Sequence, residues 1–308
     1  MLVVTEVALS LVLLIGAGLM IHAIWGLVHV DIGFNPKKLV AMTINLPPDS
    51  YCKDSPKERT LKPKAAQVRK QIRERLQALP GVKTVSVSSR APLWGCPIRL
   101  IGVGGQAPPA LHNAKVQNLP FAAFQPVSPD YFRTLQVPLL KDRQLTQQDN
   151  QSSPRVALIN ETFARRYFPS QDPLGKVVRI GYWDNSHEDP PRQIVGVVRD
   201  SRQMLFSKPD PALYVPYAQL SPGFQGPHTT ERTFITYVAR TSVDPASLAP
   251  AMRRAESKVA PDVPIVKLRT VHEIREESLQ ARDMGFYEWL LIVFAGIAVA
   301  LTVGGALE

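Results

Sequence analysis

Cysteine is almost missing: Cys52 and Cys96 are the only two among 308 residues. Two thiols cannot staple a small secreted scaffold or complete a four-ligand zinc site, which excludes both classes. Catalytic motifs are missing too. There is no GxSxG elbow. Gly102-Val-Gly-Gly105 lacks the Lys-Ser/Thr ending and the following helix of a phosphate loop. His272-Glu273-Ile-Arg-Glu276 starts like a zinc-protease helix, but Glu276 stands where the second histidine ligand belongs. The same stretch reads better as a capping box, Thr270-Val-His-Glu273, opening a helix through Arg282. His187-Glu188-Asp189 lies beside Pro190-Pro191 and reads as solvated loop rather than metal ligands. The expectation is no catalytic residue, no cofactor-binding residue and no metal site, hence not an enzyme.

Charge is missing from two long runs. Val7 to Val30 contains no Asp, Glu, Lys or Arg, and neither does Trp289 to Leu307. A helix rising about 1.5 Å per residue needs roughly 20 apolar residues to cross a bilayer core, so transmembrane helices are expected over 7–30 and 286–307. Gly16, Gly18 and Gly26 suit close packing in lipid, and Trp25, Phe286, Tyr287 and Trp289 suit the headgroup region. A cleaved secretory signal is the rival for the first run, but Met1 to Glu6 lacks the basic start that such signals carry. A buried core helix is the rival for the second.

What is present between these runs is ordinary domain material. A hydrophobic content of 45% permits a real core. The 28 prolines argue for short elements divided by loops. The net charge of +10 invites a nucleic-acid reading, but no such motif accompanies it. The basic residues are scattered, apart from Lys62, Lys64, Arg69, Lys70, Arg73 and Arg75 around one predicted helix. A solvated helix face and no nucleic-acid partner is the expectation.

Along the chain, Leu39 to Leu46 reads as a strand, 64–79 as a helix with Val68, Ile72, Leu76 and Leu79 on one face, and Val82 to Ser88 as a second strand. The unit returns later. Thr233 to Ala239 is a strand, Asp244-Pro245 opens a helix whose stripe is Leu248, Met252, Ala255 and Val259, and Ala260 to Leu268 matches Leu79 to Val87. Pro250 has no obvious place in that second helix. Between the halves, short strands follow closely: Phe121–Pro126, Arg155–Ile159, Lys176–Ile180, Gln193–Val198 and Ala212–Pro216. Short helices are expected from Ser128 and from Asn160. The predicted fold is α+β, with boundaries at 31–116 for the first half, 117–220 for a β-rich insert, and 221–285 for the second half and a connecting helix.

One ordered set of segments is distinctive. Val127-Ser-Pro-Asp-Tyr-Phe132 precedes Val156-Ala-Leu-Ile-Asn-Glu-Thr-Phe-Ala-Arg-Arg-Tyr-Phe-Pro169 and Asp172-Pro-Leu-Gly-Lys176. Ile194-Val-Gly-Val-Val-Arg-Asp200 and Tyr214-Val-Pro-Tyr217 follow. This set resembles the extracytoplasmic core of MacB/FtsX-type ABC transporter permeases, in particular the large permeases common in acidobacteria. The resemblance implies a porter-like lobe of two strand–helix–strand halves carrying an inserted β-rich lobe. It also implies a separate ABC ATPase subunit, contact with membrane lipid, and pairing with another permease half. The location implied is the cell inner membrane, with the core domain periplasmic. Such permeases have more than two membrane helices, so a truncated permease or a fragment is implied. The other class of function is a two-span extracytoplasmic sensor or ligand-binding domain.

Three expectations follow. Residues 31–285 lie outside the cytoplasm, although Lys37, Lys38, Arg275 and Arg282 flank the domain side; a loop this long crosses irrespective of charge. Cys52 and Cys96 each follow a strand of one strand–helix–strand unit, so a bridge between them is expected, worth roughly 3–4 kcal/mol. The helix from Thr270 to Arg282 and the Asp31–Lys38 connection transmit movement from the two spans. Of the signature residues, Asn160 suits a helix start, Pro173 and Gly175 a turn, and Phe163, Tyr167 and Phe168 packing.

Overall fold

Alternation of apolar residues along one central strand sets up two hydrophobic layers. The computed structural model describes residues 30–54, 59–109, 119–181, 189–220 and 234–278. β1 (Leu39–Asn45) sends Val40, Met42 and Ile44 to one face and Leu39 and Ala41 to the other. A turn of helix, α1 (Pro48–Tyr51), and a hairpin of β2 (Cys52–Asp54) and β3 (Arg59–Leu61) follow. α2 (Pro63–Gln77) begins with proline in its first turn and buries Ala65, Val68, Ile72 and Leu76. β4 (Val82–Ser88) completes the first half. The second half is β12 (Phe234–Thr241), α5 (Ala249–Ser257) and β13 (Ile265–Thr270). A helix over 271–278, α6, ends the described chain.

The two halves interleave. The sheet order is β4-β12-β1-β13, every neighbouring pair antiparallel. This is a split βαβ arrangement. α2 and α5 pack together on the face that Met42, Ile44, Tyr237 and Met252 line. Pro250 now has a reason. A 3₁₀ turn, Ala246–Leu248, intervenes, and α5 restarts at Ala249, which puts Pro250 in a first turn where its missing N–H costs nothing.

The inserted lobe is a closed ring. β5 (Ile98–Val103), β6 (Phe121–Val127), β8 (Val156–Asn160), β9 (Val177–Ile180), β10 (Arg192–Val198) and β11 (Ala212–Pro216) pair in the cycle β6-β11-β8-β10-β9-β5-β6. β7 (Leu139–Asp142) attaches outside to β10. All six ring strands contribute to one buried cluster, including Ile101, Phe124, Ile159, Val178, Ile194 and Leu213, so this cluster fills the barrel. α4 (Glu161–Tyr167) adds Phe163 to it. The boundary expected at residue 117 cuts this ring, because β5 joins it from before that point.

A third cluster lies between the barrel wall and the second face of the sheet. It joins Leu39, Ala41 and Val238 of the sheet to Ala123, Leu158 and Tyr214 of the barrel, with Phe132 and Leu135 of α3 (Tyr131–Leu135). The two lobes thus share a core.

The expected Cys52–Cys96 bridge is not formed. Cys96 is a thiol whose Sγ donates to Gln203 Oε1 at 2.8 Å. β12 separates β1 from β4, so the two are parallel but two strand spacings apart, roughly 9–10 Å. Cys96 also packs in the layer between the lobes, whereas Tyr51, just before Cys52, packs on the helix face. No helix among the described residues is long and apolar enough to cross a membrane; the spans expected at 7–30 and 286–307 lie outside those residues.

On α5, Glu256 is buried, and its Oε1 has no hydrogen-bond partner among the described residues. Burial raises its pKa, against a weak Ser257 hydroxyl contact, and Asp262 raises it further. The folded state therefore holds this proton more tightly than the unfolded chain does. Stability is highest below the ordinary Glu value near ~4.3 and falls as pH rises toward the raised folded value. Glu256→Gln is expected to stabilise by about 1 kcal/mol at pH 8 and to change nothing at pH 4, read from urea midpoints at both.

Candidate functional site where the two connections meet

The first and last described segments, 30–38 and 271–278, both reach the layer between the lobes. Ile32 and Phe34 of the incoming connection are buried in the shared cluster. So are Val271 and Ile274 of α6. Both segments are therefore wedged between the sheet and the barrel wall rather than hanging free.

Polar contacts fix the incoming connection to each lobe. On the barrel side, Arg199 donates to Asp31 Oδ2 at 2.8 Å, and Arg202 Nε donates to the Asp31 carbonyl at 3.0 Å. The Arg202 N–H donates to the Ile32 carbonyl. Gly33 has φ +78°, and a Cβ there would meet the Asp200 carbonyl at 2.0 Å. Only glycine accepts both that conformation and that contact. On the sheet side, Arg240 of β12 donates from Nε to the Thr134 carbonyl and from its two terminal nitrogens to the Lys37 and Asn35 carbonyls, at 2.6–2.8 Å. Burial lowers the Arg240 pKa from its ordinary value.

The outgoing helix is fixed at its start. The Thr270 N–H donates to Glu273 Oε2 at 2.7 Å and the Glu273 N–H to Thr270 Oγ1 at 3.1 Å, the reciprocal capping box expected. Arg269 pairs with Glu277. His272 Nε2 lies 3.1 Å from Glu276 Oε1 on one exposed helix face. Among the described residues no group of three potential metal ligands forms there or elsewhere. A cavity of about 610 Å³ separates the two connections, lined by Lys37, Lys38, Asp244, His272, Arg275 and Glu276 among others.

The signature segments build the barrel lobe and reach the sheet lobe and the incoming connection at a few points. Asn160 caps α4 through Phe163 N–H and also bonds the Ala212 N–H and the Asp210 carbonyl. Tyr167 hydroxyl bridges both backbone groups of Phe121, at 2.7 and 3.0 Å. Gly175 takes φ +75° at the turn expected for it. Asp200 accepts from Thr162 N–H, Thr162 Oγ1 and Arg165, while Glu161 accepts from the Asp200 N–H. This same Asp200 presses against Gly33, so the signature helix reaches the incoming connection in two contacts. Asp130 pairs with Arg73 of α2 at 3.1 Å, and Ser128 Oγ accepts from Val87 N–H.

Gly102 to Gly105 form the end of β5 and a turn, Gly104 and Gly105 both with positive φ. Two expectations require correction. Asp189 is not solvated: it is buried in a pair with Arg192, itself bonded to the Gln219 carbonyl. His187 and Glu188 lie outside the described residues. The basic face of α2 is only partly solvated, since Arg73 is paired and Arg69 stacks on Tyr217. Arg240 and Asp200 were missed as junction residues. Arg240 carries a readable signal, a lone cation at the end of the apolar strand Phe-Ile-Thr-Tyr-Val-Ala.

A split βαβ sheet with a barrel inserted between its halves, and with both connections packed at the lobe junction, defines a class of two-lobe domains. The chain belongs to the family of the MacB-like periplasmic core domain, whose profile matches residues 7–255. Among solved structures, it is similar to the periplasmic region of MacB from Actinobacillus actinomycetemcomitans, at 15% identity and TM-score 0.48, over 82% of this chain and 96% of that one. The extracellular domain of the noncanonic ABC-type transporter YknZ from Gram-positive bacteria aligns at 16% identity and TM-score 0.43, over 74% of this chain and 100% of that one. A domain of a putative permease protein from Porphyromonas gingivalis aligns at 16% and 0.42, over 77% and 92%. No curated protein gives a match. Membership rests on the family profile.

Proposed function

We propose that this chain is the membrane permease component of an ABC-type transporter or mechanotransmission system, coupled to a separate ATPase subunit. In this reading 7–30 and 286–307 span the cell inner membrane and 31–285 form the periplasmic core, a porter-like lobe with its insert. The partners are the ATPase, membrane lipid and a second permease half. Catalysis has no part in it, and no catalytic, cofactor-binding or metal-binding residue is assigned.

One observation supports the mechanical reading above the rest. Ile32 and Phe34 of one connection and Val271 and Ile274 of the other are buried in the single cluster that separates the lobes. Displacing either span shifts a wedge between sheet and barrel, so the lobes must move relative to one another. A packed interior transmits such a shift because it is not compressible, whereas a flexible linker absorbs it. The test is a six-residue Gly-Ser insertion after Asp283, made in the complete permease with its ATPase. Assembly and ATP hydrolysis are expected to persist while transport or export falls at least tenfold. Unchanged transport would show that α6 carries no force. A reporter at exposed Asn150 that is active only in the cytoplasm would overturn the orientation.

A further inference from the structure

A second cavity, remote from the connections, lies where α2 faces the barrel loops. It measures about 280 Å³ and is walled by α2, the Ser128–Pro129 turn, the 146–149 loop and the chain after β11. Arg69, Lys70 and Arg73, on one face of α2, line it together. The Arg69 guanidinium lies over the Tyr217 ring at 4.5 Å. Among the described residues no carboxylate or carbonyl accepts from its N–H groups. Stacking fixes the plane of a guanidinium while leaving its edge open, which presets it for a planar or tetrahedral anion.

The one carboxylate on the wall does not oppose this. Asp149 accepts two hydrogen bonds from Arg143 at 2.9 Å, and its Oδ2 also takes the Thr146 N–H at 2.7 Å and the Thr146 hydroxyl at 3.2 Å. Its charge is satisfied locally. Arg73 is shared with Asp130, which Arg133 also holds at 2.6 Å, so two cations divide one carboxylate there. Lys70 reaches Glu74 only at 3.9 Å. The wall is therefore net positive, with apolar Ala66, Val87 and Pro216 completing it.

We propose that this cavity binds a small free organic anion bearing a carboxylate or phosphate, held at its charged end by the edge of Arg69 with Lys70 beside it. The volume accommodates a small molecule and not a pair of acyl chains, which favours a free anion over a lipid headgroup. Because α2 belongs to the sheet lobe and Tyr217 follows β11 of the barrel, an occupant bridges the two lobes and holds them together. The inference stands independently of the proposed transport role.

Titration calorimetry on the full chain in detergent tests it, with sodium phosphate and sodium succinate as probes and sodium chloride at matched ionic strength as the blank. One saturable site per chain is expected for at least one probe. Arg69→Gln is expected to weaken it at least tenfold and Lys70→Gln about threefold, while Arg253→Gln on the exposed face of α5 leaves it unchanged. Lys70→Gln keeps the Arg69–Tyr217 stack, so it decides the matter if Arg69→Gln folds poorly. Heats equal to the chloride blank, or equal affinity in the Arg69 and Lys70 variants, would overturn the proposal. Tighter binding of short-chain phosphatidate than of succinate would assign the cavity to a lipid headgroup and overturn the free-anion reading.

Discussion

Arg240→Ala is expected to destabilise the domain by about 3–5 kcal/mol, because three carbonyls lose one charged donor at once. The residue is 7% exposed and its guanidinium donates to three carbonyls, those of Thr134, Lys37 and Asn35. Those carbonyls belong to α3 and to the incoming connection. Truncation leaves the three acceptors facing a cavity beside the shared cluster. Each unmet group costs about 1–3 kcal/mol when water cannot reach it, and partial hydration from the Lys37 side keeps the sum below the maximum. Arg240→Lys keeps the charge but not the fork, and one ammonium cannot span three carbonyls. It should recover less than half of the loss. Guanidinium unfolding midpoints for both variants give the comparison. A loss under 1 kcal/mol for the alanine variant would show that solvent replaces the arginine without penalty.

Local elements were legible in the sequence, whereas their partners were not. β4 occupies Val82–Ser88, the stretch its alternating Val85 and Val87 announce. The stripe of Val68, Ile72 and Leu76 is the buried face of α2. The repeat of strand, helix and strand was visible because burial on one face imposes the same spacing twice. What pairs with what is another matter. Alternation tells which face of a strand is buried but carries no label for its neighbour. Hence β12 was not foreseen between β1 and β4, and the Cys52–Cys96 bridge was expected from an adjacency that the sheet does not have. β5 was overlooked because Arg99 and Gly102 interrupt its apolar pattern, and with it the ring closure was lost. The connection site was half legible. The capping box at Thr270 has a sequence signature, but the contact of Gly33 with Asp200 joins residues far apart in the chain and has none.

The same contact gives Asn160 its weight. Asn160→Leu is expected to cost about 3–5 kcal/mol, more than the ~1 kcal/mol typical of a lost helix cap. The side chain is fully buried and uses both ends of its amide. Its Oδ1 accepts from Phe163 N–H at 2.9 Å and Ala212 N–H at 2.8 Å, and its Nδ2 donates to the Asp210 carbonyl at 2.9 Å. One residue thereby starts α4 and ties it to the beginning of β11, so leucine abandons a cap and two further buried backbone groups together. Loosening α4 also loosens Thr162 and Arg165 from Asp200, the residue against which Gly33 is set. Asn160→Asp separates the two roles. Its carboxylate keeps both acceptor bonds but turns an oxygen toward the Asp210 carbonyl, where the amide had a donor. At pH 7 it should therefore lose about 2 kcal/mol or more, as expected for a buried acceptor facing an acceptor. Protonation near pH 4 restores a donor, and the deficit should shrink there. Unfolding midpoints of both variants at the two pH values decide it: a leucine variant within 1 kcal/mol of the parent, or an aspartate variant whose deficit ignores pH, would show that Asn160 does not join these elements.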